Sequence, residues 1–224
     1  MQKNINKILE IIIFSLIYLF LFAHAIIKND SLPAFISAFC GITYTILAGK
    51  GKPICYPIGA IGSSFYVYLS FLSNLWGNLV LYACYYIPMQ IIGFFQWNRH
   101  LKNDSYEVVK IRLNQKEKFI LYTMTILISL VSIKVLSLLG DKNPIMDGIT
   151  TIFSILAMYL TVKRCIEQWT IWMIVNFLSL IMWLDIALSG ARVSSTVFMW
   201  FVYFMLAIYF YYTWHKDLNA GYNK

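Results

Sequence analysis

The chain has 224 residues, of which 60% are hydrophobic and only 12% are charged, and its mean hydropathy is +0.67. A soluble globular domain is excluded, because so few charges cannot cover so much apolar surface. The formal net charge of +8 does not indicate a nucleic-acid partner, because the basic residues are distributed as in a membrane protein.

Apolar stretches long enough to cross a bilayer recur along the chain and predict an all-α transmembrane fold. In chain order the eight predicted spans are 8–27, 33–49, 54–73, 76–97, 117–139, 144–163, 168–190 and 194–214. They divide the chain into a leading helix (1–32), a first three-helix group (33–98), a cytoplasmic connector with a linker helix (99–143), a second three-helix group (144–216) and a C-terminal tail (217–224). Any functional site is expected among the spans, because little mass remains outside them.

The lysines and arginines separate by side when the N-terminus is placed in the cytoplasm. Fourteen of the 18 then lie on the cytoplasmic side, and the remaining four, Lys28, Lys134, Lys142 and Arg192, lie outside. This positive-inside bias predicts a multi-pass membrane protein with both termini in the cytoplasm.

The first span has two interpretations. It follows Lys3 and Lys7 and ends near Ala23-His24-Ala25, which has the small-x-small form of a signal-peptide cleavage site. The apolar run is longer than a usual signal core, so we favour an anchor helix that is retained.

Cysteines and histidines give no sign of a metal or cofactor site. The four cysteines form no CxxC pair and lie in or at the cytoplasmic ends of spans, which favours reduced thiols. The three histidines, His24, His100 and His215, are far apart in the sequence, which disfavours a zinc site. No cofactor is therefore predicted.

The two three-helix groups are similar in sequence. Residues 36–53 align with residues 149–166, and an insertion of four residues near Glu167 sets the offset to 117 from Ile58 onward. At that offset the matched pairs are Gly59 with Asn176, Tyr66 with Trp183, Tyr86 with Tyr203, and Trp97 with Trp214. Parallel repeats joined by one span are typical of a transporter, so the predicted architecture is one leading helix plus a 3+1+3 bundle.

Residues 98–116 form the largest predicted segment outside the membrane. They mix basic, acidic and apolar residues, and we interpret them as a connector that lies on anionic lipid headgroups. A regulatory role is an alternative that nothing in the sequence supports.

Polar and aromatic residues share one face of several predicted spans, where an unpaired polar group is costly. The candidate substrate contacts are Trp169, Trp172, Asn176, Ser179 and Trp183 in span 7, Tyr82, Tyr86 and Gln90 in span 4, and Tyr203 in span 8. The alternative is that tryptophan and tyrosine form interfacial belts and that amides join helices. We favour belts for residues near span ends, such as Trp97 and Trp214, and ligand contact for Asn176 and Gln90.

The predicted spans lack the residues that catalysis or ion coupling would need. No span has a central pair of carboxylates, and the ionisable residues lie near membrane edges or, for Asp185, in the outer half of span 7. We therefore predict binding without a reaction, so the chain is expected to be neither an enzyme nor an ion-coupled carrier.

Three short motifs resemble those of one family. Residues 85–97 read YYIPMQIIGFFQW and resemble the YxPMQxxGxxxW signature of the PnuC-type vitamin transporters. Residues 167–176 read EQWTIWMIVN and are similar to that family's EQWxxWxxxN element, and AGKGK at residues 48–52 is like its short basic turn. The resemblance covers roughly residues 35–216.

The resemblance implies a fold, a substrate and partners. Proteins of this family carry nicotinamide riboside across the bacterial inner membrane by facilitated diffusion, and a cytoplasmic kinase then phosphorylates and traps it. Their fold is similar to that of the sugar-permeating SWEET proteins, and they form homotrimers with one pathway in each protomer. Close relatives carry thiamine or riboflavin, so the substrate stays open, and a membrane receptor subunit without transport is the alternative from another class. Ala207 stands at the position aligned with Gln90, so the implied pocket is asymmetric.

Overall fold

The computed structural model describes residues 2–28, 31–72, 76–102, 106–138, 140, 144–188 and 194–222. Over these residues the protein is helical apart from the connector between α5 and α6 and the turns between helices. Its helices are α1 (Gln2–Lys28), α2 (Leu32–Gly49), α3 (Cys55–Leu72), α4 (Trp76–Leu81), α5 (Ile87–Asn98), α6 (Gln115–Leu138), α7 (Pro144–Val162), α8 (Glu167–Leu188) and α9 (Ser194–Tyr222), with a π-helix (Tyr82–Tyr86) between α4 and α5. Lys142, Arg192 and Lys224, which enter the charge count, lie outside the described residues.

Six helical stretches of this described part are long and apolar enough to cross a membrane: Ile8–Ile27, Leu32–Gly49, Leu79–Asn98, Gln115–Leu138, Pro144–Val162 and Thr196–Ala220. This confirms the prediction of an all-α transmembrane fold. The count of eight spans and their 3+1+3 arrangement stay a prediction. The last helix runs past residue 214, where span 8 was predicted to end, so much of the predicted tail is helical.

Six helices form a closed circuit. α2 packs on α3, α3 on α5, α5 on α7, α7 on α8, α8 on α9, and α9 returns to α2. The α5–α7 and α9–α2 contacts join the first three-helix group to the second, and we call them the two seams. α1 and α6 pack outside the circuit, and their exposed faces are rich in isoleucine and leucine, as lipid-facing surfaces are.

The helix that carries the first signature motif contains a π-helical turn at Tyr82–Tyr86. Pro88 has no backbone N–H to donate, so a regular α-helix would lose a hydrogen bond at this level. The π turn changes the pairing, because the N–H of Ile87 donates to the carbonyl of Tyr82. Such turns are frequent at functional sites, and here both Tyr82 and Tyr86 face the inside of the circuit.

Trp97 and Trp214 are not belt residues, so our interpretation of them is wrong. Both are 0% exposed. Trp97 Nε1 donates to the carbonyl of Thr161 at 2.9 Å, and Trp214 Nε1 donates to the carbonyl of Gly49 at 2.6 Å. The first bond crosses the α5–α7 seam and the second crosses the α9–α2 seam. A buried indole needs an acceptor for its N–H, and here the end of a neighbouring helix supplies it.

Residues 106–114, which we call the strap, are the part of the connector next to α6. The prediction that the connector lies on headgroups is wrong for this segment, because Val108 is 0% exposed and Lys110 is 9% exposed. The N–H of Val108 donates to the carbonyl of Gly51 at 2.8 Å, and the N–H of Ile111 donates to the carbonyl of Arg164 at 3.0 Å. The mixed polarity of this segment does not reveal its burial, because the strap packs on the turns that contain Gly51 and Arg164, and these turns are distant along the chain.

Candidate substrate-binding site

The circuit of described helices surrounds a cavity of about 610 Å³, a size typical of small-molecule sites. All nine residues that the sequence offered as substrate contacts line it: Tyr82, Tyr86, Gln90, Trp169, Trp172, Asn176, Ser179, Trp183 and Tyr203. The structure therefore brings together side chains from three separate stretches of the chain. Their role as substrate contacts stays a prediction.

α8 supplies a polar wall of the cavity. Asn176 and Ser179 are both buried, and they lie about one helical turn apart on the same face, as their spacing predicts. Trp172 lies on this face too, and its Nε1 donates to Thr161 Oγ1 of α7 at 3.1 Å. Thr161 Oγ1 in turn donates to the carbonyl of Ala157 at 2.8 Å, so the hydroxyl is oriented to hold this indole beside the cavity.

The π-helix supplies an aromatic wall. The rings of Tyr82 and Tyr86 meet edge to face with centroids 4.6 Å apart. Tyr82 also stacks on Tyr66 of α3, with centroids 4.3 Å apart and an angle of 30° between the rings. Rings that pack on one another in this way present apolar faces of defined orientation to a flat ligand.

Gln90 reaches the cavity because Gly59 has no side chain. A Cβ on Gly59 would lie 2.7 Å from both Nε2 and Oε1 of Gln90 and 2.6 Å from the ring of Tyr44. These distances are too short for any stable contact, so a larger residue would displace the amide. The missing side chain lets α3 and α5 approach closely at this point.

Several buried polar atoms of the lining have no hydrogen-bond partner among the described residues: Gln168 Nε2 and Oε1, Gln90 Oε1, Trp169 Nε1 and Trp200 Nε1. Leaving such an atom unpaired costs about 1–3 kcal/mol, and native proteins rarely tolerate it. These atoms have almost no exposed surface, so a polar occupant of the cavity pairs with them once the side chains turn toward it. Their grouping favours a binding site over a gap in the packing.

Gln168 is the most informative residue that sequence reasoning missed. It is 0% exposed and lines the cavity near the start of α8. The available signal was its position beside Trp169 in the EQW motif, but neighbours on a helix point about 100° apart, so a search for one face left it out.

α2 and α7 also contribute to the lining, although the sequence did not single them out. Tyr44 and Ser154 are examples, and Asp147 in the first turn of α7 is the one carboxylate among the described lining residues. It lies at the opposite end of α7 from Thr161. The middle of the cavity is therefore polar without an acidic group.

A cluster of aromatic rings, which we call the floor, closes the cavity at the end near Trp169. Trp169 packs edge to face on Trp214 with centroids 5.8 Å apart. It packs in a tilted arrangement on Phe210, with centroids 5.4 Å apart. Trp97 packs edge to face on Tyr56 at 5.1 Å. All five rings are buried, and they fill the space between the cavity and the turns at residues 50–54 and 163–166.

Cys165, in the turn between α7 and α8, is a weak nucleophile. It is buried, and burial together with the carboxylate of Glu167 raises the pKa of its thiol to about 12. A thiol with this pKa is almost entirely protonated at neutral pH and therefore reacts poorly.

Known proteins match this chain over the whole circuit. The family model described as "Nicotinamide mononucleotide transporter" matches residues 31–216. The nicotinamide riboside transporter PnuC of Haemophilus influenzae is 33% identical over 191 residues, which are 84% of this chain and 80% of the relative. The nicotinamide riboside transporter PnuC of Neisseria mucosa is 30% identical over 196 residues, which are 85% of this chain and 74% of the relative. The crystal structure of the vitamin B3 transporter PnuC superposes with a TM-score of 0.77 at 30% identity, covering 89% of this chain and 88% of that chain.

Proposed function

The chain belongs to the nicotinamide mononucleotide transporter family, and we propose that it carries nicotinamide riboside into the cell as a uniporter. Membership confirms the resemblance that the YxPMQxxGxxxW and EQWxxWxxxN motifs carry. It also confirms that the chain is a membrane transporter and not an enzyme. The substrate is the one named for its PnuC relatives.

The observation that carries the proposal is the set of unpaired amide and indole atoms around the cavity. Nicotinamide riboside has a flat cationic ring, a carboxamide and a ribose, so it needs aromatic faces together with uncharged donors and acceptors. Gln168 offers both a donor and an acceptor, Gln90 offers an acceptor, and Trp169 offers a donor. Each of these groups suits the carboxamide or the ribose hydroxyls.

Aromatic faces bind the cationic ring in this proposal. A well-placed ring contributes about 0.5–2 kcal/mol to the binding of a cation, depending on how far it is desolvated. Trp172, held by Thr161, and the stacked pair of Tyr66 and Tyr82 are the candidates. A neutral cage of this kind binds the vitamin without holding it too tightly to release, and Asp147 at the end of α7 would attract the cation electrostatically.

The proposed architecture is one leading helix plus two parallel three-helix repeats joined by α6. Its support is the pair of seams, each crossed by an indole hydrogen bond from the third helix of one group to the first helix of the other. The two acceptors are nearly equivalent, because Gly49 aligns with Val162, the residue next to Thr161. Two such halves rock against each other around a central site, which gives alternating access.

The proposed energetics need no coupling ion. Uptake follows the gradient of the vitamin, and phosphorylation by a cytoplasmic kinase maintains that gradient. The protein is proposed to work as a homotrimer in the bacterial inner membrane, with one pathway in each protomer and both termini in the cytoplasm.

Uptake by proteoliposomes tests this function. Labelled nicotinamide riboside should enter without an imposed ion gradient until the inside concentration equals the outside one, and protein-free liposomes are the control. Failure to enter contradicts the proposed substrate, and faster entry of thiamine at equal concentration favours the alternative substrate. Accumulation of the unmodified vitamin driven by a proton or sodium gradient contradicts uniport.

Tags test the proposed topology. Tags at both termini and within residues 98–116 should all report a cytoplasmic location, because most lysines and arginines then lie inside. An outside location for the 98–116 tag contradicts the eight-span count.

A further inference from the structure

The strap lies directly beneath the floor of the cavity. Val108 is fully buried there. Lys110 Nζ lies 5.0 Å from the ring centroid of Trp214 and forms an ion pair with Asp217 of α9. Any movement that opens the floor toward the turns therefore requires the strap to move as well.

Backbone and side-chain hydrogen bonds join the strap to the turn between α7 and α8. The N–H of Ile111 donates to the carbonyl of Arg164 at 3.0 Å, and the N–H of Ile166 donates to the carbonyl of Ile111 at 3.0 Å. Arg164 Nη1 adds a charged bond to the carbonyl of Val109 at 3.2 Å. These hydrogen bonds thus attach the strap to the second three-helix group.

Glu167, the first residue of α8, strengthens this attachment. Its Oε2 accepts a hydrogen bond from the N–H of Leu113 at 3.3 Å, and its Oε1 lies 2.8 Å from Lys118 Nζ. Glu167 is buried, so both interactions are weakly screened by solvent and hold the end of the strap in place.

The contact of the strap with Gly51 is uncharged, whereas the ion pair of Glu107 with Lys102, at 3.6 Å, lies within the connector itself. The N–H of Val108 donates to the carbonyl of Gly51 at 2.8 Å, and the N–H of Val109 donates to the carbonyl of His100, just after α5, at 2.8 Å. Gly51 has a φ of +69°, a conformation that favours glycine and that gives the turn its shape. Neutral backbone bonds separate at lower cost than charge-assisted ones.

We propose that the strap is an inner latch of the transport pathway, which moves with the second three-helix group and separates from Gly51 when substrate leaves toward the cytoplasm. This inference rests on the proposed function, because it takes cytoplasmic release as a step of transport. The floor lies between the cavity and the two inner turns, so release requires those turns to part. The strap bridges both turns, and its neutral contact with Gly51 is the one that gives way.

A disulfide across the latch tests the proposal. In a background with Cys55→Ala and Cys165→Ala, Gly51→Cys is combined with Val108→Cys. Val108 Cγ1, which marks where the cysteine sulfur would lie, is 3.4 Å from the Cβ position of residue 51, so the pair is within bridging range. Oxidation should lower nicotinamide riboside uptake about tenfold or more, since a locked gate prevents turnover, and a reductant should restore it. The oxidised and reduced samples are the same protein, so strain at residue 51 affects both equally.

A second disulfide is the matched control. Ile111→Cys faces the native Cys165 across a parallel bridge, so this bond lies within the proposed moving unit and should change uptake by less than about twofold. Because the Cys165 thiol is protonated at neutral pH, the oxidation is carried out in alkaline buffer, and loss of both free thiols is verified before uptake is measured. The proposal is wrong if the Gly51–Val108 disulfide forms and uptake continues, or if both disulfides stop uptake equally. If the reduced and unmodified proteins take up no nicotinamide riboside, the proposed function fails instead.

Alkylation of Cys55 tests the latch without any substrate. Cys55 is fully buried at the start of α3, close in sequence to Gly51. Val108→Gly should raise its alkylation rate by an impermeant maleimide in inside-out vesicles about fivefold or more, because local opening becomes more frequent. Val109→Gly, which removes a side chain that is 41% exposed, should not. An unchanged rate in Val108→Gly overturns the proposal even where neither disulfide forms.

Discussion

The two three-helix groups bring their amides to the cavity from different helices. In the first group the amide is Gln90 of α5, which lies against Gly59 of α3. In the second group Asn176 of α8 shares the cavity lining with a second amide, Gln168 of the same helix, and the position aligned with Gln90 is Ala207 of α9. The aligned pairs Gln90 with Ala207 and Gly59 with Asn176 therefore each combine one amide with one small residue. The first group carries the amide in one pair, and the second group carries it in the other.

At the two seams, by contrast, the two groups use the same residue at aligned positions. Trp97 and Trp214 occupy aligned positions and make matching bonds to the ends of α7 and α2. The groups thus agree at the seams and share the aligned tyrosines Tyr86 and Tyr203 in the cavity, but they differ in where their amides stand. We infer that this difference gives the two ends of a substrate distinct partners, so that nicotinamide and ribose bind in one orientation.

The largest expected effect comes from removing the amide of Asn176 in the second group. Asn176→Leu should weaken nicotinamide riboside binding by about 1–3 kcal/mol, because a polar group of the ligand would lose water without gaining a partner. Isothermal titration calorimetry on purified protein measures it. Phe177→Leu, at a neighbouring position that is 48% exposed, is the control. If the folded Asn176 variant binds like the parent, the α8 face serves helix packing and the site is wrong.

A smaller effect is expected from filling the space beside the amide of the first group. Gly59→Ala would put a methyl group 2.7 Å from Gln90 Nε2 and 2.6 Å from the ring of Tyr44, so the amide must move. Binding should weaken by about 1–2 kcal/mol, because the ligand group that loses this partner stays desolvated and unpaired. Ile61→Ala, on an exposed part of α3, is the control. Shortening the amide with Gln90→Asn in the Gly59→Ala background should recover part of the loss. Equal binding by Gly59→Ala and the parent would show that the position of Gln90 does not matter.

The sequence predicts the α8 face well because the membrane penalises polar groups. Asn176 and Ser179 stand out in an apolar run, and their spacing assigns them to the same face as Trp172. The helices themselves are predictable for the same reason, since the length of an apolar run approximates the length of a span.

Other features are not local and therefore escape the sequence. Val108 is buried and its N–H bonds the carbonyl of Gly51, which is far away along the chain, so its surroundings depend on how the connector folds back. Trp97 and Trp214 lie at span ends, where an interfacial belt and a buried clamp have the same pattern. Gln168 lies beside the predicted face, and only the start of α8 near the floor brings it to the cavity.

Trp172→Leu distinguishes a cation-binding wall from an apolar one. The loss should be greater for nicotinamide riboside than for its neutral dihydro form by about 0.5–2 kcal/mol, because only the cation interacts with the electrostatic field of the ring face. Calorimetry with both ligands on both proteins gives this difference. Trp172 also bonds Thr161, but a loss of packing would weaken both ligands equally. Equal losses of binding free energy for the two ligands therefore contradict the cation–ring contact and mean that Trp172 contributes only through packing.

The smallest effects should come from the seams, where the two groups agree. Phenylalanine keeps an aromatic ring but donates no hydrogen bond, so Trp97→Phe and Trp214→Phe should each lower the free energy of unfolding by about 0.5–1.5 kcal/mol. The second change should cost slightly more, because Lys110 lies over the ring of Trp214 and indole is the better partner for a cation. Thermal unfolding in one detergent compares the variants, with Tyr212→Phe at an exposed position of α9 as the control. Similar losses at the two tryptophans support equivalent seams. If Trp97→Phe leaves the free energy of unfolding unchanged while Trp214→Phe lowers it, only the α9–α2 seam stabilises the circuit. The two groups would then be similar in sequence but not in the energetics of their seams.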